Sequence, residues 1–268
     1  MGIKKCYNWQ PINFTESLAN NVNRFSIFNS HISQLSFAEA IDYLITTTDV
    51  GYCCLSNVHT VVEGRWNKRL QYATNSSLIS FPDGMPLVKY INTFGGRTER
   101  VAGMDLFHYF CTVKNKKSHL LLGGTEENSS ILKQKFTAHE NRCDVLALPF
   151  CAVDEFEYKT IASEINRKKY DLIWVSLGAP KQEIFMNELY KHLNTGICLG
   201  VGGAFDTEAG IIKMAPEWMR KYSLEWLFRL SQDPKRLFKR YLVTNSTFVL
   251  LYIWHLLTKK RHYGQNTV

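Results

Sequence analysis

The sequence lacks most of the short motifs by which nucleotide-dependent enzymes are recognised. Its 268 residues contain no Walker A pattern, no GxGxxG fingerprint followed by a ribose-binding acid, and no Gly-x-Ser-x-Gly nucleophile turn. A DxD motif is also missing, and Asp206-Thr207-Glu208 is the nearest stretch to one. These absences argue against a P-loop NTPase, a dinucleotide-dependent oxidoreductase, an α/β-hydrolase and a metal-bridged nucleotide diphosphate site.

Cysteine is present, but not in the patterns of disulfide frameworks or metal sites. The seven cysteines are an odd number, and none forms a CxxC pair or a Cys/His cluster with metal-ligand spacing. The first thirty residues are polar and contain no apolar segment typical of a secretory signal. We therefore expect reduced, mostly buried thiols in a protein that stays in the cytoplasm.

Positive charge is confined to one end of the chain. Residues 213–261 contain eleven basic and three acidic residues, so this segment accounts for the whole net charge of +8. Such an asymmetry predicts an anionic partner for the C-terminal segment: a membrane surface, a phosphate group or a nucleic acid.

Short apolar runs alternate with helical spacing from residue 24 to residue 200. This order predicts an α/β fold with a largely parallel sheet covered by helices on both faces. A capping box of Ser36 and Glu39 marks one helix start, and Pro180 and Pro234 suit first helical turns. The predicted strands are 24–28, 52–55, 78–81, 119–122, 144–148, 172–176 and 196–200.

A helix is predicted from Pro234 to about Lys260. Its first turns are basic, and an apolar run of about ten residues follows, which is shorter than the roughly twenty residues needed to cross a bilayer. The pattern favours a helix lying in the membrane interface, with Tyr252 and Trp254 at the depth of the headgroups. A terminal helix docked on the main domain is the alternative.

Ligands of parallel sheets bind beyond the carboxyl ends of the strands, so the residues at those positions are candidates for ligand binding. Asp83, before Gly84, could act as a general base, or the pair could form an ordinary turn. The Gly178 turn leads into a helix start that could bind phosphate, with Gln182 as a donor, or it could be a tight β–α turn.

Two further stretches could contact a ligand. Gly202, followed by Asp206, lies in a second glycine-rich stretch at the end of a strand. The glycines could allow the backbone to approach a ligand closely, or they could simply form a tight turn. Arg229, Arg236 and Lys239 recur at helical spacing and could bind a diphosphate or anionic headgroups, or form a solvated basic face.

Taken together and in this order, the following stretches resemble the WecG/TagA/CpsF family of bacterial glycosyltransferases over residues 27–240. They are 57–59, 81–88, 100–106, 177–183, 200–206, 215–220, 224–230 and 233–236.

The resemblance implies a Rossmann-like catalytic domain, residues 1–212, and a C-terminal helical appendage, residues 213–268. It implies inverting transfer of a sugar from a UDP donor to an undecaprenyl-diphosphate-linked acceptor, with no metal cofactor. It also implies an appendage that contacts the anionic inner face of the plasma membrane and closes over the active site. No nucleic-acid partner is expected on this interpretation, and the oligomeric state stays open.

By the same resemblance, Asp83 matches the family's proposed catalytic base. Asn57, Arg100 and Gln182 match polar residues of its pocket, while Arg229, Arg236 and Lys239 match basic residues thought to reach the diphosphate. Where the family often has threonine, this chain has Leu55. Either Ser56 supplies the hydroxyl through a shifted turn, or that contact is missing.

Two other classes of function stay open on the sequence alone. One is a nucleotide-dependent oxidoreductase on a similar sheet, and the other is a non-catalytic protein that binds a membrane surface or a nucleic acid through its basic end. The sequence also leaves open the sugar, which could be a hexose, an N-acetylhexosamine or a uronic acid. The polymer could be enterobacterial antigen, a teichoic-acid linkage unit, capsule or exopolysaccharide.

Overall fold

The fold was analysed in a computed structural model that describes residues 22–263, except for the side chains of Lys221, Arg236 and residues 259–263. The chain first forms an antiparallel hairpin of β1 (Arg24–Ile27) and β2 (Ser30–Ser33). Six further strands follow: β3 (Gly51–Ser56), β4 (Ile79–Pro82), β5 (Ser118–Gly123), β6 (Arg142–Leu146), β7 (Leu172–Ser176) and β8 (Ile197–Gly200).

Helices connect the strands and continue beyond the last one. Up to β8 they are α1 (Phe37–Thr46), α2 (Val58–Glu63), α3 (Lys68–Asn75), α4 (Met85–Thr93), α5 (Gly103–Thr112), α6 (Glu126–Ala138), α7 (Tyr158–Lys168) and α8 (Lys181–Leu189). After β8 come α9 (Ala204–Glu208), α10 (Glu217–Lys221), α11 (Glu225–Gln232) and α12 (Pro234–Tyr263).

The six strands form one parallel sheet in the order β4-β3-β8-β7-β5-β6. The predicted fold class is therefore confirmed. The capping box at Ser36 is also present, because the Ser36 hydroxyl accepts the Glu39 N–H and the Glu39 carboxylate accepts the Ser36 N–H. The strand expected at 144–148 lies two residues earlier, as β6.

One predicted strand belongs elsewhere in the fold. The strand expected at 24–28 is β1, and it pairs only with β2 instead of joining the parallel sheet. Phe28 and Asn29 both adopt positive φ, at 50° and 73°, and this tight turn folds the chain back on itself after β1.

Apolar side chains cover both faces of the sheet. In β3, Cys53 and Leu55 belong to the core on one face, whereas Tyr52 and Cys54 belong to the core on the other. Strands that are buried on both faces have nearly continuous apolar sequences, because helices cover each face of the sheet. Cys53, Cys54 and Cys198 are buried free thiols, as predicted, while Cys6 lies outside the described residues.

A third apolar cluster lies between the hairpin, α4 and α12. Phe248 of α12 is only 3% exposed, and its ring packs edge-on against Phe28 at 5.7 Å between centroids. Tyr252 of the same helix lies 5.4 Å from the ring of Tyr90 and hydrogen-bonds to the Thr93 hydroxyl at 2.9 Å. One face of α12 is therefore docked on the rest of the protein.

The opposite face of α12 exposes large apolar side chains. Leu250 is 67% exposed, Trp254 62% and Leu257 63%. Leu237–Thr258, 22 residues, is long and apolar enough by length and composition to cross a membrane, which exceeds the ten-residue run considered from sequence. Because Phe248 and Thr244 pack against protein, docking and an exposed apolar face coexist in one helix.

Candidate active site

The carboxyl ends of β4, β3, β8 and β7 lie side by side along one edge of the sheet. Asp83 directly follows β4, Asn57 follows β3, and the Gly202 and Gly178 turns follow β8 and β7. At about 4.8 Å between neighbouring strands, β4 is two strand spacings, roughly 10 Å, from β8 and three, roughly 15 Å, from β7. We refer to this edge of the sheet, with Asp83 at one side, as the crevice.

Asp83 is held by contacts that reach well beyond its own loop. Its Oδ1 accepts the backbone N–H of Gly103 at 2.9 Å, at the first turn of α5. Its N–H donates to the Ser56 carbonyl at 2.9 Å, and its carbonyl accepts Arg100 Nε at 2.8 Å. The carboxylate thus has a fixed orientation at the mouth of the crevice.

Burial raises the pKa of the Asp83 carboxyl above its usual range. The positive charge of Arg100 lowers this pKa, and the negative charge of Glu225 raises it. The hydrogen bond from the Gly103 N–H and the positive charge of Arg229 also lower it. A carboxylate with a raised pKa is a stronger base than a solvated one, and still ionises as pH rises above that pKa.

Arginine and carboxylate side chains alternate above Asp83. Arg100 Nη2 lies 2.8 Å from Glu225 Oε2, and Arg229 Nη2 lies 2.9 Å from Glu225 Oε1. Behind them, Asp105 lies 3.0 Å from Arg220 and 3.6 Å from Arg100. This ion-pair chain links α10 and α11 to the end of β4.

Asn57 and Ser56 have different surroundings. Asn57 caps α2, its Oδ1 accepting the N–H groups of His59 and Thr60 at 3.0 and 3.3 Å. Asn57 also lies against Gly84, where an added Cβ would be 3.6 Å from its own Cβ. The Ser56 hydroxyl is buried and bonded to Ser80 Oγ at 2.8 Å, so it does not project beyond the strand end.

The two glycine turns meet through Gln182. Gly178 and Gly202 both adopt positive φ, at 74° and 50°, and a Cβ on Gly202 would lie 3.2 Å from Gln182 Oε1. Gln182 itself is buried and donates to the Gly200 carbonyl at 2.9 Å. The amide therefore ties the ends of β7 and β8 together from beneath the turns.

Glu183 is buried beside Gln182, whose Nε2 donates to its Oε1 at 3.0 Å. Burial raises the pKa of the Glu183 carboxyl to about 7. Lys181 points away from the glycine turns, since its ammonium donates to the Cys151 carbonyl and lies 4.9 Å from the centroid of the Phe156 ring.

The remaining sequence-predicted residues are more dispersed. Asp206, in the first turn of α9, accepts the side-chain amide of Asn128. Lys239 is exposed on α12, and Arg236 lies on the same helix with its side chain outside those described. The structure thus brings Asp83, Arg100 and Arg229 together around Glu225, and Gly178, Gln182 and Gly202 into a second group.

Sequence reasoning missed Glu225, Asp105 and Gly103, which complete the surroundings of Asp83. In the sequence, Glu225 was included only as one residue of stretch 224–230, which resembles the family. Glu225 lies 125 positions from Arg100, so no local spacing could have paired them. Within residues 22–263, no group of three or more His, Cys, Asp or Glu side chains is arranged to hold a metal ion.

The comparisons with known proteins agree with the resemblance. The model of the glycosyl transferase WecG/TagA/CpsF family matches residues 25–262. The N-acetylglucosaminyldiphosphoundecaprenol N-acetyl-beta-D-mannosaminyltransferase of Bacillus subtilis (strain 168) is 32% identical over 166 residues, 60% of this chain and 64% of the relative. The match therefore spans a little under two thirds of that relative's own length.

A protein of the same name from Bacillus spizizenii is similar over a longer stretch. It is 26% identical over 220 residues, which cover 76% of this chain and 84% of the relative.

Proposed function

Because this chain belongs to the WecG/TagA/CpsF family of glycosyl transferases, we propose that it transfers a sugar from a UDP donor to N-acetylglucosamine linked through diphosphate to undecaprenol. The acceptor is suggested by the names of both Bacillus relatives, which also make N-acetylmannosamine the first donor sugar to test. A hexose or a uronic acid is the alternative sugar.

The observation that carries the proposal is the placement of Asp83. Its carboxylate is fixed by the Gly103 N–H at the mouth of the crevice, beneath two arginines that pair with Glu225. A partly buried base next to fixed cationic donors is the arrangement that glycosyl transfer from a nucleotide diphosphate needs.

In the proposed reaction, an acceptor hydroxyl attacks the anomeric carbon of the donor sugar. The Asp83 carboxylate takes the hydroxyl proton as the new C–O bond forms. The bond from the anomeric carbon to the β-phosphate oxygen breaks, and that oxygen leaves with the electron pair. Attack opposite the leaving group in a single step inverts the anomeric configuration.

The charge that grows on the β-phosphate needs donors that are already in position. Arg100 and Arg229 supply guanidinium groups beside Asp83. In this proposal no metal is required, and residues 1–212 hold the catalytic site while residues 213–268 form the appendage.

The proposed location is the inner face of the plasma membrane, where a lipid-linked acceptor would be presented. The exposed apolar face of α12, with Leu250 and Trp254, would enter the interface, while the basic residues of the same segment would contact anionic headgroups. The protein would stay cytoplasmic and peripheral, with no nucleic-acid partner.

The test is a UDP-release assay with undecaprenyl-diphosphate-linked N-acetylglucosamine as acceptor and a panel of UDP-sugars as donors. We expect acceptor-dependent UDP release with one N-acetylhexosamine donor, UDP-N-acetylmannosamine first, and an inverted linkage in the product. Release that does not depend on the acceptor, or no release with any UDP-sugar, would refute the proposal.

A further inference from the structure

Glu225 is a charged group beside the proposed diphosphate site that has no role in the proposed reaction. Its two carboxylate oxygens bind two different arginines, Oε2 with Arg100 Nη2 at 2.8 Å and Oε1 with Arg229 Nη2 at 2.9 Å. Arg229 lies one turn along α11 from Glu225, whereas Arg100 comes from the segment that follows α4. A single carboxylate thus bridges both arginines proposed to bind the donor diphosphate.

A carboxylate and a phosphate compete for the same guanidinium donors. Arginine binds both anions through paired N–H groups in a planar fork. In Arg100, Nε is already used by the Asp83 carbonyl at 2.8 Å, so Nη2 is the donor directed towards Glu225. A diphosphate that bound Arg100 and Arg229 through the same Nη2 groups would have to displace the Glu225 carboxylate.

The surroundings favour an exchange of this kind. The Arg100 side chain is 17% exposed and that of Glu225 26%, so the pair is shielded from water but not sealed from it. Asp105, 3.6 Å from Arg100 Nη1, would keep the guanidinium oriented after Glu225 had moved away. Such a partly exposed pair can be broken at a modest cost in free energy.

We propose that Glu225 is an internal competitor of the donor diphosphate: it occupies Arg100 and Arg229 in the empty enzyme and returns to them as UDP leaves. This inference rests on the proposed function, because it takes the ligand of the two arginines to be a nucleoside diphosphate. Glu225 would lower the affinity for UDP and thereby speed its release as product.

The test is the binding of UDP and of UMP to the full-length protein by calorimetry, with wild type and Glu225→Gln. The amide keeps the shape of the side chain and removes its charge. We expect Glu225→Gln to bind UDP about fivefold more tightly, as the loss of about 1 kcal/mol of competition predicts. The increase in affinity for UMP should be smaller than that for UDP. The inhibition constant of UDP as a product should fall by the same factor as its Kd.

The matched control is Glu217→Gln. It removes the same charge from an exposed position in the same C-terminal segment, and it should leave the UDP affinity unchanged. Glu225→Ala should tighten UDP binding in the same direction as Glu225→Gln, and near-identical melting temperatures would show that all three variants fold.

Two results are distinguishable in this design. If wild type binds UDP and Glu225→Gln binds it equally or more weakly, the inference is overturned and Glu225 merely fastens α11 to the sheet domain. If wild type binds no UDP at all, the proposed donor class fails and the inference falls with it.

Discussion

At the scale of single residues, Asp83 depends on partners from distant parts of the chain. It directly follows β4, at the edge of the sheet where parallel strands present their carboxyl ends to ligands. Its partners Gly103 and Glu225 come from a helix start and from a helix beyond the sheet. Such long-range contacts depend on tertiary packing, so they could not be inferred from spacing.

The opposing effects on Asp83 predict a pH shift that can be measured. Burial raises its pKa and Arg100 lowers it, so Arg100→Gln should raise the pKa further. Because the base must be ionised, activity is lost as pH falls through this pKa. The acid limb of the kcat/KM profile should therefore move to higher pH in Arg100→Gln. This shift is expected in addition to an overall decrease in activity at all pH values.

Arg97→Gln serves as the control for this shift, since it removes a positive charge from an exposed position in the same segment. Its acid limb should coincide with that of wild type. An unmoved limb in Arg100→Gln would contradict the assignment of that limb to Asp83.

Glu183 shows how far burial can change a residue that reads as ordinary from sequence. An acid in the first turn of a helix is usually an exposed complement to the helix dipole, yet Glu183 is only 1% exposed. Its pKa is raised to about 7 from the 4.5 of a solvated glutamate, so its contribution to stability is full below about pH 4.5 and is lost as pH rises through about 7.

Glu183→Gln should therefore gain stability relative to wild type as pH rises. Between pH 5 and pH 8 the difference in the free energy of unfolding between variant and wild type should change by roughly 2.5 kcal/mol in favour of the variant. Urea unfolding of both proteins at the two pH values measures it. A difference independent of pH would show that Glu183 ionises normally in the folded protein.

At the scale of elements, the buried parallel strands were predictable because their apolar runs reflect two covered faces. β1 was also predicted as a strand, but its pairing with β2 was not, because the turn at Phe28 and Asn29 contains no glycine. The length of α12 was predictable, but its dual character, with one face docked on the protein and the opposite apolar face exposed, was not. Phe248 docks against Phe28 of the unpredicted hairpin and against Tyr90 of α4.

This dual character predicts how α12 should be tested for membrane binding. Deleting the helix would uncover the apolar cluster around Tyr90 and Phe94, so loss of binding could reflect loss of folding. Replacing the exposed Leu250 and Trp254 by serine avoids this problem. We expect binding to vesicles containing phosphatidylglycerol to fall at least about tenfold, because each buried apolar side chain contributes roughly 1.5–3 kcal/mol.

The matched control is Tyr72→Ser, which removes a 63% exposed aromatic side chain from α3. Vesicle sedimentation and thermal unfolding should be measured on all variants. If the α12 double variant still binds vesicles like wild type while keeping its melting temperature, the exposed face is not the membrane-binding surface.

At the scale of the whole molecule, the order of the strands could not be read from the chain. β3 pairs with β8 although some 140 residues separate them, and this pairing brings the Asn57 turn next to the Gly202 turn. α11 then returns to the same edge and places Glu225 above Asp83. The site is thus assembled from segments along most of the chain, and the family match extends over residues 25–262.

The most direct test of the account is turnover by Asp83→Asn with UDP-N-acetylmannosamine and the lipid-linked acceptor. Removing the base while keeping the shape of the side chain should reduce kcat by about 10²–10⁴-fold, with UDP affinity within a few-fold of wild type. Asp154→Asn, at an exposed ion pair with Arg69, should turn over normally. Near-normal turnover by a folded Asp83→Asn protein would contradict the central claim that this carboxylate takes the acceptor proton.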